Sequence, residues 1–268
     1  MNNIRIHCSW GLNFDFFHDK QIELYVDSIP YDSIPHNTVR FLFLLEPPEI
    51  MDLTSRAFTT YRNGYVNVLL THNQYLLDNC PNSFNFPLGS TWIKNYEFPE
   101  KEYSVSTLVG GKLMANGHHL RQHLWGRQNE INTIKRNFFI SGNHSGRLKN
   151  LNNNPVLGDK KDPLFNSQFH IVIENAIRQN WFTEKLIDTL QTKTIPIYIG
   201  CPNIDNWFDT KGMFIVNNVD EIISTCNNLT PDTYNNMIEY VEKNYEISKN
   251  YSSLEDRLIT HIKNYLNM

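Results

Sequence analysis

Cysteine is scarce in this sequence, and the spacing of the few cysteines excludes two structural classes. The chain has 268 residues and only four cysteines, Cys8, Cys80, Cys201 and Cys226. No two of them form a Cys-x-x-Cys pair, so neither a zinc ribbon nor a dense disulfide framework is expected. We interpret the four side chains as reduced thiols, which are usual in a cytoplasm.

Long apolar runs and an excess of positive charge are also missing. No apolar run approaches the roughly 20 residues that cross a bilayer. The first residues, MNNIRIHCSWG, lack the basic and apolar regions of a signal peptide. The formal net charge is −4, whereas dedicated nucleic-acid binders are usually basic. We expect a soluble, cytoplasmic protein with no transmembrane segment and no nucleic-acid partner.

The apolar residues that are present predict strands and helices in the first third. Hydrophobic residues make up 40% of the chain, enough for one large domain or two small ones. Short apolar runs that end in polar or turn residues predict strands, and a polar segment between them predicts a helix. The predicted strands are 4–8, 39–45, 66–71 and 84–90 (the last with a turn), and the helix is 73–79.

A second series of elements follows a polar segment, 94–103, that we predict to be a linker. The predicted strands are 105–109, 137–141, 169–173, 195–199 and 213–216, and the helices are 117–130, 183–193, 220–227, 231–244 and 253–265. Strands that alternate with such helices predict parallel sheets. We therefore predict an α/β fold with two Rossmann-like domains, 1–100 and 101–250, facing each other across a cleft. The terminal segment, 251–268, is expected to pack back on the first domain.

The segment 169–200 contains the most informative polar side chains. An apolar run ends in Glu174 and Asn175, and Thr183 then precedes a helix whose first turn contains Glu184 and Lys185. Thr183 is a good N-cap residue, and the free N–H groups of a helix N-terminus attract an anion. Lys185 adds a charge for a phosphate, whereas Glu184 suits ribose hydroxyl groups better. The alternative is an ordinary capped helix with solvent-facing charges.

The same segment resembles a known family. Its pattern, EN-x(7)-TEK-L followed by TIPIYIG, is similar to the C-terminal signature of glycosyltransferase family 10, the α-1,3/1,4-fucosyltransferases. Several fixed residue types at fixed spacing over about 35 positions make this match specific. The resemblance implies a GT-B architecture, in which the first domain binds the acceptor and the second binds a nucleotide sugar.

The resemblance also implies roles for single residues. Asn175 would contact the donor nucleotide, Glu184 the ribose and Lys185 the diphosphate, and Trp181 stands where the family usually has tyrosine. A second patch, GHHLR at 117–121, resembles the segment whose arginine binds donor phosphate. Arg121 has a planar fork that suits a diphosphate, although a surface helix arginine is the alternative. The predicted donor-binding residues are Arg121, Glu174, Asn175, Trp181, Thr183, Glu184 and Lys185.

Three positions depart from the family pattern and leave the donor open. Ala176 replaces a small hydroxyl residue, Ile199 replaces an aromatic residue, and Trp181 replaces tyrosine. An enzyme of the same fold with another nucleotide sugar is therefore an alternative. A second alternative is a catalytically silent protein that binds a nucleotide or a glycan.

The candidate catalytic base lies in the first domain. Glu46 and Glu49 flank two prolines after a predicted strand. A carboxylate at that place lies at the carboxyl edge of the sheet, where ligands of open α/β sheets bind. The family has a similar Glu-Ser-Pro with a proposed base, so Glu46 is our candidate and Glu49 the second choice. A turn glutamate held by prolines is the alternative.

Together these features predict an inverting glycosyltransferase. GDP-fucose is the expected donor, and a glycan hydroxyl is the expected acceptor. The sequence contains no Asp-x-Asp, the metal-binding signature of the other large glycosyltransferase fold. We therefore expect no metal site and no required cofactor.

Overall fold

The structure is a computed structural model, which describes residues 3–9, 11–142 and 148–267. Its strands are β1 (Ile4–His7), β2 (Gln21–Val26), β3 (Thr38–Leu44), β4 (Val68–Thr71), β5 (Ser83–Asn85), β6 (Glu102–Val109), β7 (Lys135–Ser141), β8 (Val156–Leu157), β9 (Ser167–Ile173), β10 (Ile195–Ile199) and β11 (Phe214–Ile215). Its α-helices are α1 (Thr54–Arg62), α2 (Gln74–Asn79), α3 (Asn116–Gly126), α4 (Glu184–Gln191), α5 (Val219–Asn228), α6 (Thr233–Asn236), α7 (Ile238–Ser248) and α8 (Leu254–Leu266).

Cα proximity divides the chain into two units. The first comprises the described parts of Met1–Leu88, Arg178–Trp181 and Ser253–Met268, and the second comprises Gly89–Ile177 and Phe182–Ser252. Within the described ranges, no helix combines the length and the apolar character that crossing a bilayer requires.

The first unit is built on a sheet of five parallel strands in the order β1-β2-β3-β4-β5. Successive side chains of a strand point to opposite faces. On β3, Phe41 and Phe43 belong to the core that contains Leu258 of α8, whereas Leu42 belongs to the core that contains Ala57 of α1. Because both faces are covered, this strand is a nearly continuous apolar run.

The patterns of the sequence do not predict β2 or α1. In β2, Glu23 interrupts the apolar residues, yet it is only 6% exposed. Its register partner on β3 is Arg40, and the two side chains form an ion pair at 2.7 Å. A buried charge is tolerated when it is paired, and here the partner is 17 residues away. In α1, the buried residues are only Ala57 and Thr60, so the helix lacks a clear apolar stripe.

The second unit contains six parallel strands in the order β11-β10-β9-β6-β7-β8. From β6 the chain adds β7 and β8 on one side, and then returns to add β9, β10 and β11 on the other. The order therefore reverses between β6 and β9. Open α/β sheets bind ligands outside the carboxyl ends of the strands at such a switch point.

The predicted α/β class with two mainly parallel sheets is confirmed. A single helix over 231–244 is wrong, because the structure has α6 and α7 with Met237 between them. The helix predicted at 117–130 ends at Gly126, and a 3₁₀ turn follows at Gln128–Glu130. The other predicted elements are confirmed with shifts at their ends.

Candidate functional site

Glu174 joins the end of β9 to the start of α4. Its carboxylate is completely buried. One oxygen accepts the backbone N–H of Thr183 at 2.8 Å, and the other accepts the Thr183 hydroxyl at 2.7 Å. Burial raises the pKa of Glu174, and the charge of Lys185 opposes that shift. Both oxygens of Glu174 therefore accept hydrogen bonds from Thr183, the residue that precedes α4. The contact of Glu174 with a donor stays a prediction.

Thr183 is the N-cap of α4, as predicted. Its hydroxyl oxygen accepts a hydrogen bond from the backbone N–H of Lys185 at 3.3 Å. An N-terminus fixed in this way presents backbone N–H groups and the positive end of the helix dipole. The first turn of α4 therefore favours an anion.

Arg121 reaches from α3 to the end of β9. Its guanidinium donates to the backbone carbonyl of Ile173 and, at 2.7 Å, to the side-chain oxygen of Asn175. Arg121 is 9% exposed, and burial lowers its pKa to about 10, so it is charged at neutral pH. Within the described residues, its hydrogen bonds go to neutral oxygens only. Arg121 and Asn175, which the resemblance assigns separately to donor binding, are thus in direct contact, and their contact with a donor stays a prediction.

Gly117 allows α3 to approach β9 this closely. Its backbone N–H donates to the carbonyl of Asn175 at 3.0 Å. A Cβ atom at position 117 would lie 1.7 Å from the carbonyl oxygen of Glu174. Only glycine fits, because any side chain would overlap the backbone of the neighbouring loop.

Glu184 and Lys185 form an ion pair in the first turn of α4, with 3.0 Å between Oε1 and Nζ. Burial alone would raise the pKa of Glu184, but the ammonium groups of Lys185 and Lys161 lower it to about 2. Burial disfavours the charge of Lys185, whereas Glu184 and Glu174 raise its pKa overall. Both side chains are thus ionised.

These groups line a cavity of about 130 Å³ in the second unit. Its cations are Arg121, Lys161 and Lys185, its carboxylates are Glu184 and Asp188, and its apolar wall includes Leu108, Leu164 and Phe165. The cavity also touches β9, next to the switch point. It combines an apolar wall with convergent charges, as small-molecule sites do.

Trp92, Lys161 and Asp188 also line the cavity, although no pattern in the sequence assigns them to a site. The Thr91 hydroxyl and the Trp92 backbone N–H both donate to Asp188 at 2.8 Å. These partners are more than 90 residues apart along the chain. No local sequence pattern predicts such a contact.

Trp181 belongs to the first unit. The side chain is 1% exposed, and its indole N–H donates to the carbonyl of Leu45 at 3.1 Å. It is absent from the wall of the cavity described above. In this structure Trp181 packs the first unit, and its predicted contact with a donor stays a prediction.

Glu46 and Glu49 lie after β3 in the first unit. The backbone N–H groups of Leu45 and Glu46 point at the carboxylate of Asp27, the closest contact being 2.8 Å from Leu45. Glu46 lines a small pocket with His72. Glu49 instead forms an ion pair with Arg178 at 2.7 Å. Glu46 is thus placed at the carboxyl edge of the sheet, and its role as a base stays a prediction.

Comparison with known proteins supports the resemblance. No family model matches the chain. Over 82 residues it is 32% identical to GDP-fucose protein O-fucosyltransferase 3 of Xenopus tropicalis and 30% identical to that of Xenopus laevis. The match covers 27% of this chain, and only 16% of the length of these relatives.

Solved structures resemble the fold over much more of the chain. An α1,3-fucosyltransferase with GDP-fucose matches 87% of this chain and 80% of its own, with a TM-score of 0.52 and 15% identity. The pneumococcal O-GlcNAc transferase GtfA, in complex with UDP and GlcNAc, matches 91% of this chain and 56% of its own, with a TM-score of 0.53 and 10% identity. The predicted fucosyltransferase-like, GT-B type of fold is thereby confirmed.

Proposed function

We propose that this chain is a glycosyltransferase that transfers fucose from GDP-fucose to a hydroxyl group of a glycan acceptor. The sequence signature at 169–200 supports this proposal, as does the likeness of the fold to the α1,3-fucosyltransferase with GDP-fucose. The local similarity to GDP-fucose protein O-fucosyltransferase 3 points to the same donor. We also propose a cytoplasmic location, because a reducing compartment keeps thiols such as the four free cysteines of this chain reduced.

The buried guanidinium of Arg121 is the observation on which the proposal depends most. A buried cation whose hydrogen bonds go only to neutral oxygens favours an anionic ligand, because charge burial is costly without a counter-ion. Arg121 lines the cavity together with Lys185 and the N-terminus of α4. Glu174 and Glu184 favour the charge of Arg121 from a distance, and a nucleoside diphosphate would supply an anion in direct contact with these three donors.

The proposed reaction is a single displacement. The acceptor oxygen forms a bond to the anomeric carbon, the bond from that carbon to the diphosphate breaks, and GDP leaves. Glu46 takes the proton of the acceptor hydroxyl, a role that contributes about 10²–10⁴-fold to the rate when the base is well placed. Arg121 and Lys185 stabilise the departing diphosphate, so the step does not require a metal ion. Attack opposite the leaving group inverts the anomeric configuration.

Release of GDP from GDP-fucose, measured with a panel of glycan and protein hydroxyl acceptors, tests the activity. Titration with GDP, UDP, dTDP and CMP tests the donor. Arg121→Gln should weaken GDP binding about 10- to 100-fold, the usual range for a lost charge-assisted hydrogen bond. Arg127→Gln is the matched control, since Arg127 ends the same helix and pairs with Glu130 and Asp220.

Two results would replace this proposal with one of its alternatives. A clear preference for a nucleotide other than GDP would favour another nucleotide sugar on the same fold. Tight GDP binding without GDP release, whatever the acceptor, would leave a catalytically silent binding protein.

A further inference from the structure

Lys161 is a cation of the cavity to which the proposed reaction gives no role. It directly precedes the 3₁₀ turn at Asp162–Asn166, and its side chain is 15% exposed. Its ammonium lies 2.8 Å from Oδ2 of Asp188, 3.8 Å from Oε1 of Glu184 and 4.0 Å from the centre of the Trp92 ring. All four side chains line the cavity. The position of this charge is therefore defined from three directions.

Asp188 anchors Lys161. The carboxylate side chain is 1% exposed. Its Oδ1 accepts the Thr91 hydroxyl and the Trp92 backbone N–H, and its Oδ2 accepts from Lys161. Because both oxygens are engaged, Asp188 is not the group that meets a ligand. Its effect is to hold the ammonium of Lys161 beside Glu184.

Glu184 is shared by two ammonium groups. Lys185 lies at 3.0 Å and Lys161 at 3.8 Å, both from Oε1. A diphosphate at Arg121 and the helix N-terminus would compete with Glu184 for Lys185. The attraction between Lys185 and Glu184 weakens when the ammonium moves towards the diphosphate, because it falls with distance. Lys161 would then be the remaining cation of Glu184, because Asp188 keeps it in place. Without it, a largely buried carboxylate would have no ammonium group beside it, which is costly.

We propose that Lys161 is a positioning residue that holds Glu184 as an oriented carboxylate when Lys185 binds the diphosphate, and so sets a preference for nucleotides with free ribose hydroxyl groups. The inference rests on the proposed function, with a nucleoside diphosphate in this cavity, its phosphate groups at Lys185 and its ribose at Glu184. An oriented carboxylate accepts hydrogen bonds from ribose hydroxyls, whereas a mobile or protonated one does so poorly.

The test is the ratio of two dissociation constants, for GDP and for 2′,3′-dideoxy-GDP, measured by calorimetry. Wild type should bind GDP at least about tenfold more tightly, as expected for hydrogen bonds to a charged group. In Lys161→Gln the ratio should fall close to one, because GDP affinity falls while dideoxy-GDP affinity changes little. Lys161→Arg should restore the ratio. Lys160→Gln is the matched control, because Lys160 is the neighbouring residue and is exposed. It should leave the ratio unchanged.

A second variant separates the proposed effect on ribose recognition from a loss of folding. Lys161→Gln leaves the buried Asp188 without its ammonium partner, so the double variant with Asp188→Asn removes both charges together. A purely structural role would weaken both nucleotides equally, and an unchanged ratio in both variants would overturn the inference. Equal affinity of wild type for the two nucleotides would overturn it as well, while GDP binding itself would stand. Failure of wild type to bind any nucleotide would instead overturn the proposed function.

Discussion

Gly117→Ala should damage the site and the fold through one contact. The added Cβ would lie 1.7 Å from the carbonyl oxygen of Glu174, and real Cβ atoms essentially never come closer than 3.0 Å. Helix α3 must then move away from the loop by about 1 Å or more, because protein interiors leave no room to absorb the overlap. The hydrogen bonds from Arg121 and Gly117 to Asn175 would be lost with this movement.

The magnitudes follow from these lost contacts. Overpacking should lower the free energy of unfolding by about 1–3 kcal/mol. Loss of the bond that orients the Arg121 guanidinium should weaken GDP binding by about 10- to 100-fold. Urea unfolding and calorimetric titration with GDP measure the two effects.

Gly126 provides a control on the same helix. A Cβ at Gly126 meets no atom within 4 Å. Gly126→Ala should therefore leave GDP affinity unchanged and stabilise the protein by up to about 1 kcal/mol, the difference in helix propensity. If Gly117→Ala behaves like Gly126→Ala, the close approach of α3 to the loop is not what positions Arg121, and the reasoning is refuted.

Two further predictions concern the base and the response to acid. Glu46→Gln should lower the turnover rate by about 10²–10⁴-fold with GDP affinity unchanged, and a fully active variant would move the test to Glu49. Burial lowers the pKa of His72 and His118 to about 4 and that of His170 to about 3. The unfolded chain takes up these protons below about pH 6.5, whereas the folded protein does not, so stability falls as pH falls from 6.5 towards 4. Each imidazole should cost about 2 kcal/mol at pH 5, as measured by urea unfolding, and NMR signals of protonated rings at pH 6 in the folded protein would contradict this.

The sequence predicts those parts of the site that local rules determine. Thr183 was identifiable as an N-cap because Ser, Thr, Asp and Asn side chains satisfy free N–H groups within two or three residues. Strand β10 and the 169–173 part of β9 were identifiable because β-branched and apolar residues dominate both, as they do in buried parallel strands. The resemblance assigned Arg121 and Asn175 to donor binding one by one, but it did not predict their contact, since no rule of periodicity joins a helix to a loop 54 residues away.

Contacts between distant segments were not predictable. The pairs Glu23 with Arg40 and Lys161 with Asp188 are buried ion pairs whose partners belong to different elements. In the sequence, each of these charged residues on its own indicates a polar interruption of an apolar run or a solvated side chain. Their effect depends on desolvation and on the exact geometry of the pair, neither of which a single sequence displays.

The charges around the cavity suggest a different role for each of the two lysines beside Glu184. Lys161 contacts both Asp188 and Glu184, and Lys185 contacts Glu184, so among the described lining residues Arg121 is the cation that forms no ion pair within 4.0 Å. A diphosphate carries more negative charge than one guanidinium balances, and in the proposed complex it would therefore also bind Lys185, in competition with Glu184. A buried carboxylate that loses its ion-pair partner in this way would take up a proton or repel the ligand. In the proposed complex, the charge of Lys161 at 3.8 Å would oppose both outcomes, so that Glu184 would stay ionised beside the ribose while the phosphate groups bind.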